Sequence, residues 1–129
     1  MRPRFPEVLN FIAEPEGFDD HARSLASGER VIDEVQGQTI CDALMSPFPG
    51  EITFAINRHL ASAGVSASDR EVGEAMKFAF RELKLVVEPG GAVALATLLN
   101  GRFACKGKTV VIVLSGGNVD AELFSRMIA

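Results

Sequence analysis

The chain has 129 residues, of which 47% are hydrophobic and 23% charged, with a formal net charge of −4 and a pI near 5.2. This composition excludes intrinsic disorder, the length fits one domain with its own core, and an acidic balance without a Lys/Arg cluster excludes nucleic-acid and anionic-membrane partners. No apolar run reaches the roughly 20 residues of a membrane helix. Because "MRPRFPEVLN" also lacks the apolar stretch of a signal peptide, we expect a cytoplasmic protein.

The start of the chain predicts a strand, a turn and a helix. The apolar stretch "EVLNFIAEP" (7–15) is typical of a buried strand that ends at Pro15. Asp19 or Asp20 is then predicted to cap a short helix through "HARSLASGE", and Gly28 is expected to end that helix.

Two helices are predicted in the middle of the chain. They follow a loop over residues 31–50 with a short turn around Ile40–Leu44. Helical spacing of apolar residues predicts the first helix at 50–64. The second begins at Ser68, which forms a capping box with Glu71 ahead of a long apolar stripe.

The last third of the chain predicts an extended segment "LVVEPGG", a helix at 92–101, a strand "KTVVIVLSGGN" and a closing helix "DAELFSRMI" capped by Asp120. Strands that are apolar on both faces and alternate with helices are typical of an α/β layer architecture with parallel pairing. Ligands of such sheets bind at the carboxyl ends of the strands, where Glu14, Glu88 and Ser115 fall.

Two motifs in this part of the chain carry chemistry. In "VVIVLSGGNVD" (110–120) a serine stands at the end of an apolar run, and Gly116 and Gly117 would let a flat group approach the backbone. The alternative interpretation is an ordinary strand-to-helix turn, in which glycine is needed for positive φ. In "VVEPGGAVALATLL" an acid, a proline and two glycines precede a helix of small residues, whose N-terminus suits an anion or a cofactor edge.

The cysteines and histidines do not form a recognisable motif. Cys41 and Cys105 have no partner at metal-ligand spacing and are expected to be buried free thiols. His21 and His59 are too few and too far apart in sequence to predict a zinc site.

The order and spacing of the motifs resemble the C-terminal part of fold-type II pyridoxal-phosphate enzymes, in particular the threonine and serine dehydratases and serine racemase. The resemblance runs from "FIAEPEGFDD" through "GQTICDALMSPFPGEITFAINR" and "FAFRELKLVVEPGGA" to "VLSGGNVD". It implies a partial three-layer αβα domain with parallel strands. The chain would then be a single unit, residues 1–129, that corresponds to the C-terminal part of the large domain, with the N-terminal half absent.

The resemblance also implies a set of cofactor contacts. Ser115 matches the residue whose hydroxyl hydrogen-bonds the pyridine nitrogen of the cofactor. Gly116 and Gly117 would let the ring lie near the backbone, and Asn118 would brace the turn. Glu88 matches an acidic residue that lines the cofactor pocket.

A divalent-cation site is implied at "EPEGFDD". The ligands would be the side chains of Glu14 and Asp20 and the backbone carbonyl of Phe18, an oxygen-only set that suits Mg²⁺ or Ca²⁺. The alternative is an acidic, solvated helix N-terminus with Asp20 as its cap.

Several family features lie upstream of the matched region: the Schiff-base lysine, the asparagine beside the cofactor's 3-hydroxyl and the glycine-rich phosphate loop. None of the lysines here matches the catalytic position; they are Lys77, Lys84, Lys106 and Lys108. In "CDALM", Ala43 stands where racemase-like relatives tend to have glycine, which weakens a racemase assignment.

We therefore expect part of a threonine or serine dehydratase, an ammonia-lyase that needs pyridoxal 5'-phosphate and is inactive in the form of this chain alone. A homo-oligomer is expected because an incomplete sheet domain exposes apolar edges. Two alternatives stay open: a non-catalytic oligomerising or regulatory module, and a parent enzyme of the serine racemase type.

Overall fold

The computed structural model describes residues 4–32 and 37–129. The regular elements are β1 (Phe11–Pro15), α1 (Asp20–Ser27), α2 (Glu51–Leu60), β2 (Ala63–Ala67), α3 (Asp69–Phe78), α4 (Pro89–Leu99) and α5 (Ala121–Ile128). A turn of 3₁₀ helix at Asp42–Leu44 precedes α2, and a π-helical turn at Ala79–Leu83 continues α3. Residues 33–36 of the predicted loop lie outside the described residues.

The two strands form a parallel pair. Their register runs from Phe11 opposite Ala63 to Pro15 opposite Ala67. Both strands contact α1 and α4, so the sheet has helices packed on it as an α/β layer fold requires. The predicted α/β class with parallel strands is confirmed.

Strand β2 was not predicted, and the helix predicted at 50–64 is too long. The helix α2 ends at Leu60, and the chain enters the sheet at Ala63. The strand reads "AGVSA", which has little of the β-branched or aromatic content by which strands are recognised. Gly64 explains part of this composition, because a Cβ there would lie 2.4 Å from the Cα of Ala22 in α1.

The core lies between α3 and α4. Val72 and Met76 of α3 and Val93 of α4 are almost completely buried, together with Cys41 from the loop before α2. The predicted capping box starts α3: the Ser68 hydroxyl accepts from the Glu71 N–H, and the Glu71 carboxylate accepts from the Ser68 N–H. The predicted capping box is confirmed, and the first part of the predicted apolar stripe is buried.

The predicted strand "KTVVIVLSGGN" is not part of the sheet. Residues 109–120 lie in the described part of the chain and form no strand there. Burial along this segment nevertheless alternates with a period of two. Ile112 and Leu114 pack against the core, whereas Val111 and Val113 are 83% and 71% exposed. The segment therefore covers the core with one face and leaves the other face open.

Of four other boundaries, two differ from the predictions and two confirm them. The strand predicted at 7–15 is regular only from Phe11, and Gly28 ends α1 with φ +80°, as expected. The helix predicted at 92–101 begins earlier, at Pro89, because proline is well suited to a first helical position. Asp120 caps α5 as predicted, accepting from the N–H groups of Glu122 and Leu123.

Candidate functional site

Glu88 connects the start of α4 to the "SGGN" turn. Its N–H donates to the Gly116 carbonyl at 3.0 Å. Its carboxylate Oε2 accepts the N–H of Asn118 at 2.9 Å. One half-buried acidic residue thus holds both sides of the turn.

The two glycines of this turn are required by close packing. A Cβ on Gly116 would lie 2.4 Å from the Glu88 Cδ, and a Cβ on Gly117 would lie 2.9 Å from the Val86 carbonyl oxygen. Among the described glycines, positive φ occurs only at other positions, so the explanation by a positive-φ turn is wrong. The glycines make room for Glu88 and Val86 of the same chain, and their approach to a cofactor ring stays a prediction.

The first turn of α4 packs directly on the same turn. A Cβ on Gly91 would lie 2.9 Å from the backbone N and O of Gly116. A Cβ on the neighbouring Gly90 would lie 3.5 to 3.7 Å from side-chain atoms of Ala43 and Leu44, which are ordinary contact distances. The small residues of "EPGGA" therefore allow the helix N-terminus to touch the turn.

Ser115 is exposed at the end of the apolar run. It shares the exposed side of the alternating pattern with Val111 and Val113, while Leu114 anchors the segment to the core. The structure thus brings Glu88 against Gly116 and Asn118 and leaves the Ser115 side chain exposed. Gly117 packs against the Val86 carbonyl.

A second group of side chains surrounds the start of α1. Glu14, at the end of β1, accepts the N–H groups of His21 at 3.1 Å and Ala22 at 2.9 Å. These donors are the free N–H groups of the first helical turn. Asp19 does occupy the predicted N-cap position, but its carboxylate accepts from Arg23 and makes no capping hydrogen bond. Glu14 binds the helix N-terminus instead.

The two carboxylates of this group are buried. The side chain of Asp20 is 3% exposed and that of Glu14 is 11% exposed. Burial raises the pKa of Glu14 to about 7, with Asp20 and Asp19 adding to the rise and the two backbone N–H donors opposing it. Oxygen atoms of Glu14 and Asp20 and a ring nitrogen of His21 all lie within 4.8 Å of one another, a donor set that fits a metal ion.

His21 is the member of this group that sequence reasoning missed. Its Nδ1 lies 3.6 Å from Glu14 Oε1 and 3.9 Å from Asp20 Oδ2, and its Nε2 lies 3.3 Å from the Asn57 side-chain nitrogen. The signal available in the sequence was only its position next to Asp20. The carbonyl of Phe18 belongs to the turn that joins Glu14 to Asp20, and its role as a ligand stays a prediction.

The chain matches the family model described as "Pyridoxal-phosphate dependent enzyme" over residues 1–116. It is 38% identical over 117 residues to a β-hydroxyaspartate dehydratase of Paracoccus denitrificans, covering 91% of this chain and 36% of that protein. The chain belongs to the pyridoxal-phosphate-dependent enzyme family.

Solved structures support this family at the level of the fold. Maize serine racemase superposes with a TM-score of 0.86 at 32% identity, over 97% of this chain and 39% of that one. The T.th. threonine deaminase superposes with a TM-score of 0.84 at 35% identity, over 92% of this chain and 40% of that one. The chain therefore corresponds to part of a fold-type II domain and spans about two-fifths of these relatives' length.

The lysines, the cysteines and the helix lengths of this pyridoxal-phosphate family member can be compared with the sequence-based expectations. Lys77 and Lys84 donate to backbone carbonyls, of Ala129 and Arg81. Cys41 is a buried free thiol as predicted, whereas Cys105 is free but only partly buried. In the part of the chain that the structure describes, no helix has the length and apolar character needed to cross a membrane.

The residues around the "SGGN" turn fit the family's cofactor in one respect that the structure can test. The Ser115 side chain is exposed, and the residues that follow it are held by Glu88; the contact of its hydroxyl with a ring nitrogen stays a prediction. No glycine-rich phosphate loop is evident among the described residues around this turn, so the fit concerns the ring end of the cofactor.

Proposed function

We propose that this chain is the C-terminal part of the large domain of a dehydratase that removes water from L-threonine or L-serine. The products are a 2-oxo acid and ammonia. The observation that supports this proposal most directly is the "SGGN" turn. Glu88 holds the backbone of this turn, and the Ser115 side chain is exposed.

The open face of residues 110–114 supports the proposal that a larger domain surrounds this chain. Val111 and Val113 are mostly exposed although their neighbours pack on the core. Adjacent exposed apolar side chains of this kind are often covered by another part of the protein or by a partner. We propose that further strands of the same domain cover them, and that the complete enzyme is a homo-oligomer.

Ser115 is proposed to hydrogen-bond the pyridine nitrogen of the cofactor. Bound pyridoxal phosphate supplies an electron-withdrawing ring that makes the α-proton of an amino acid removable. An alcohol cannot keep that nitrogen protonated as a carboxylate would. Electron withdrawal is therefore weaker, which favours elimination of the 3-hydroxyl over transamination.

Glu88 is proposed to act by holding the turn in place. Its carboxylate accepts a hydrogen bond from the N–H of Asn118 and packs against Gly116. It therefore fixes where the Ser115 hydroxyl lies, and we propose that Asn118 helps to brace the same turn. The α-proton is proposed to move to a lysine in the rest of the enzyme, so this chain alone is expected to be inactive.

The buried group at the start of α1 is proposed to bind a divalent cation through Glu14, Asp20 and the carbonyl of Phe18. Its support is the burial of two carboxylates close together. Two such charges out of water are costly unless a cation or hydrogen-bond donors compensate them. The cation would tie the end of β1 to α1.

A racemase is the second candidate, favoured by the high TM-score with maize serine racemase. Ala43 argues for the dehydratase. Ala43 is exposed and lies beside Gly90 of α4, at a position where the resemblance gives racemase-like relatives a glycine.

A substrate panel tests the proposal on the longest natural polypeptide that contains this chain. We expect 2-oxobutanoate and ammonia from L-threonine, with little D-serine formed from L-serine. The S115A variant should lose about 100-fold in kcat, whereas S125A, on the exposed side of α5, should match the wild type. Mainly D-serine, or equal rates for S115A and S125A, would contradict the proposal.

A further inference from the structure

The buried group at the start of α1 contains a nitrogen donor in addition to the carboxylates. His21 follows Asp20 directly, and its side chain is 17% exposed. On the side of α2, the side-chain nitrogen of Asn57 lies 3.3 Å from the ring Nε2. The other ring nitrogen, Nδ1, faces the two carboxylates.

The donor atoms of Glu14, Asp20 and His21 all lie within 4.8 Å of one another, so that small side-chain movements would bring all three onto one ion. Nδ1 is 3.6 Å from Glu14 Oε1 and 3.9 Å from Asp20 Oδ2. These separations are too long for direct hydrogen bonds. In an octahedral shell with bonds of about 2.1 Å, ligand atoms lie about 3 Å apart when adjacent and about 4.2 Å apart when opposite. The observed distances fall between these values.

The Glu14 carboxylate is already oriented for such a role. Its two oxygens each accept one backbone N–H from α1, from His21 and Ala22. Each carboxylate oxygen has a second lone pair, so both remain able to bind an ion. The same helix turn thus positions the carboxylate and supplies the imidazole.

Asn57 supplies the outer contact that a metal-binding imidazole normally has. The structure has the Asn57 amide nitrogen toward Nε2, and a half-turn of the side-chain amide puts its oxygen there instead. With the Asn57 oxygen toward the ring, Nε2 carries the proton and donates it, and the lone pair of Nδ1 faces Glu14 and Asp20. A hydrogen bond of this kind fixes the ring and its tautomer.

We propose that His21 Nδ1 is a direct metal ligand and that Asn57 positions it, so that the site takes a transition-metal ion such as Mn²⁺ in preference to Ca²⁺. This inference rests on the proposed cation site and adds a ligand to it. Imidazole nitrogen is a good donor for transition-metal ions, whereas Ca²⁺ takes oxygen ligands.

Pulsed electron paramagnetic resonance of Mn²⁺, added to the metal-stripped protein, tests the inference without any activity assay. We expect modulation from a directly bonded ¹⁴N nucleus, replaced on labelling with ¹⁵N-histidine and lost in H21Q. The control H59Q changes the other histidine of this chain, which is exposed on α2, and should keep the signal.

Affinity measurements complete the test. H21Q and N57L should each weaken Mn²⁺ binding by about 10-fold or more, while Ca²⁺ affinity in H21Q stays within about twofold. Mn²⁺ bound without the nitrogen signal would overturn the inference and leave the oxygen-only site standing. Failure to bind any divalent cation would overturn both, and turnover of L-threonine by the same preparation would show the dehydratase proposal intact.

Discussion

The carboxylate of Glu88 occupies the space that a side chain on Gly116 would need. A Cβ on Gly116 would lie 2.4 Å from Glu88 Cδ, and the same carboxylate accepts the N–H of Asn118. The acid of "EPGG" and the first glycine of "SGGN" are thus one packing unit. Their close approach places Ser115 relative to α4.

This contact predicts coupling between positions 88 and 116. G116A should destabilise the protein by about 1 to 3 kcal/mol, because the added methyl group displaces the carboxylate. In E88A that clash is absent, so the double variant should be less destabilised than the sum of the two single variants by about 1 kcal/mol. Urea unfolding of the four proteins measures the coupling, and strict additivity would show that the contact is not made.

Substitution of two neighbouring glycines of α4 by alanine should change the stability of the protein in different ways. G91A would place a Cβ 2.9 Å from the backbone of Gly116, which cannot turn aside as a side chain can. We expect a loss of about 1 to 3 kcal/mol. G90A meets only side chains at ordinary contact distance and should be neutral or stabilising by up to about 1 kcal/mol. Equal unfolding midpoints for the two variants would rule out the tight helix-to-turn contact.

The two thiols should differ in reactivity. Burial raises the pKa of Cys41 to about 11, whereas Cys105 is partly exposed. Because the thiolate is the reactive form, Cys41 in the folded protein should alkylate at least about 100-fold more slowly than a free thiol at pH 8. Peptide mapping after brief iodoacetamide treatment should find Cys105 modified first. Early labelling of Cys41 would mean that the core opens at this point.

The capping box at the start of α3 predicts a specific loss of stability in acid. Hydrogen bonds from the Ser68 N–H and hydroxyl, and the nearby Arg102, hold the pKa of Glu71 below its usual value of 4.5, against a smaller effect of burial. A carboxyl with a lowered folded-state pKa stabilises the fold above its unfolded-state pKa, and that contribution disappears as pH falls through the folded value.

The matched variant for this effect is E71Q, because glutamine keeps the capping geometry without ionising. Wild-type Tm should exceed that of E71Q near neutral pH, and the difference should shrink as pH falls below about 4.5. Thermal unfolding from pH 3 to pH 7 measures this. A difference that is constant over that range would exclude ionisation of Glu71 as its cause.

Local signals predicted the helices well because their ends are determined by nearby residues. Ser68 and Glu71 lie three residues apart, and Gly28 and Asp120 act on their own helices. Strand β2 was missed because its small residues are selected by contact with α1, across a long separation in sequence.

The candidate sites were predicted by motif, but their internal contacts were not. "SGGN" and "EPGG" were correctly singled out, yet only the fold shows that Glu88 fills the space beside Gly116. His21 was set aside because a lone histidine beside an aspartate is not a recognisable metal motif, and its other partner, Glu14, lies in β1. Glu14 as the cap of α1 was hidden because it belongs to another element.

Native mass spectrometry of the protein purified from its own cells tests the central claim most directly. The chain has a mass of 13.8 kDa and spans 36 to 40% of the relatives compared above. If it is part of a fold-type II dehydratase, the polypeptide that contains it should exceed twice that mass and carry one pyridoxal phosphate per subunit. A 13.8 kDa species without the cofactor would contradict the account.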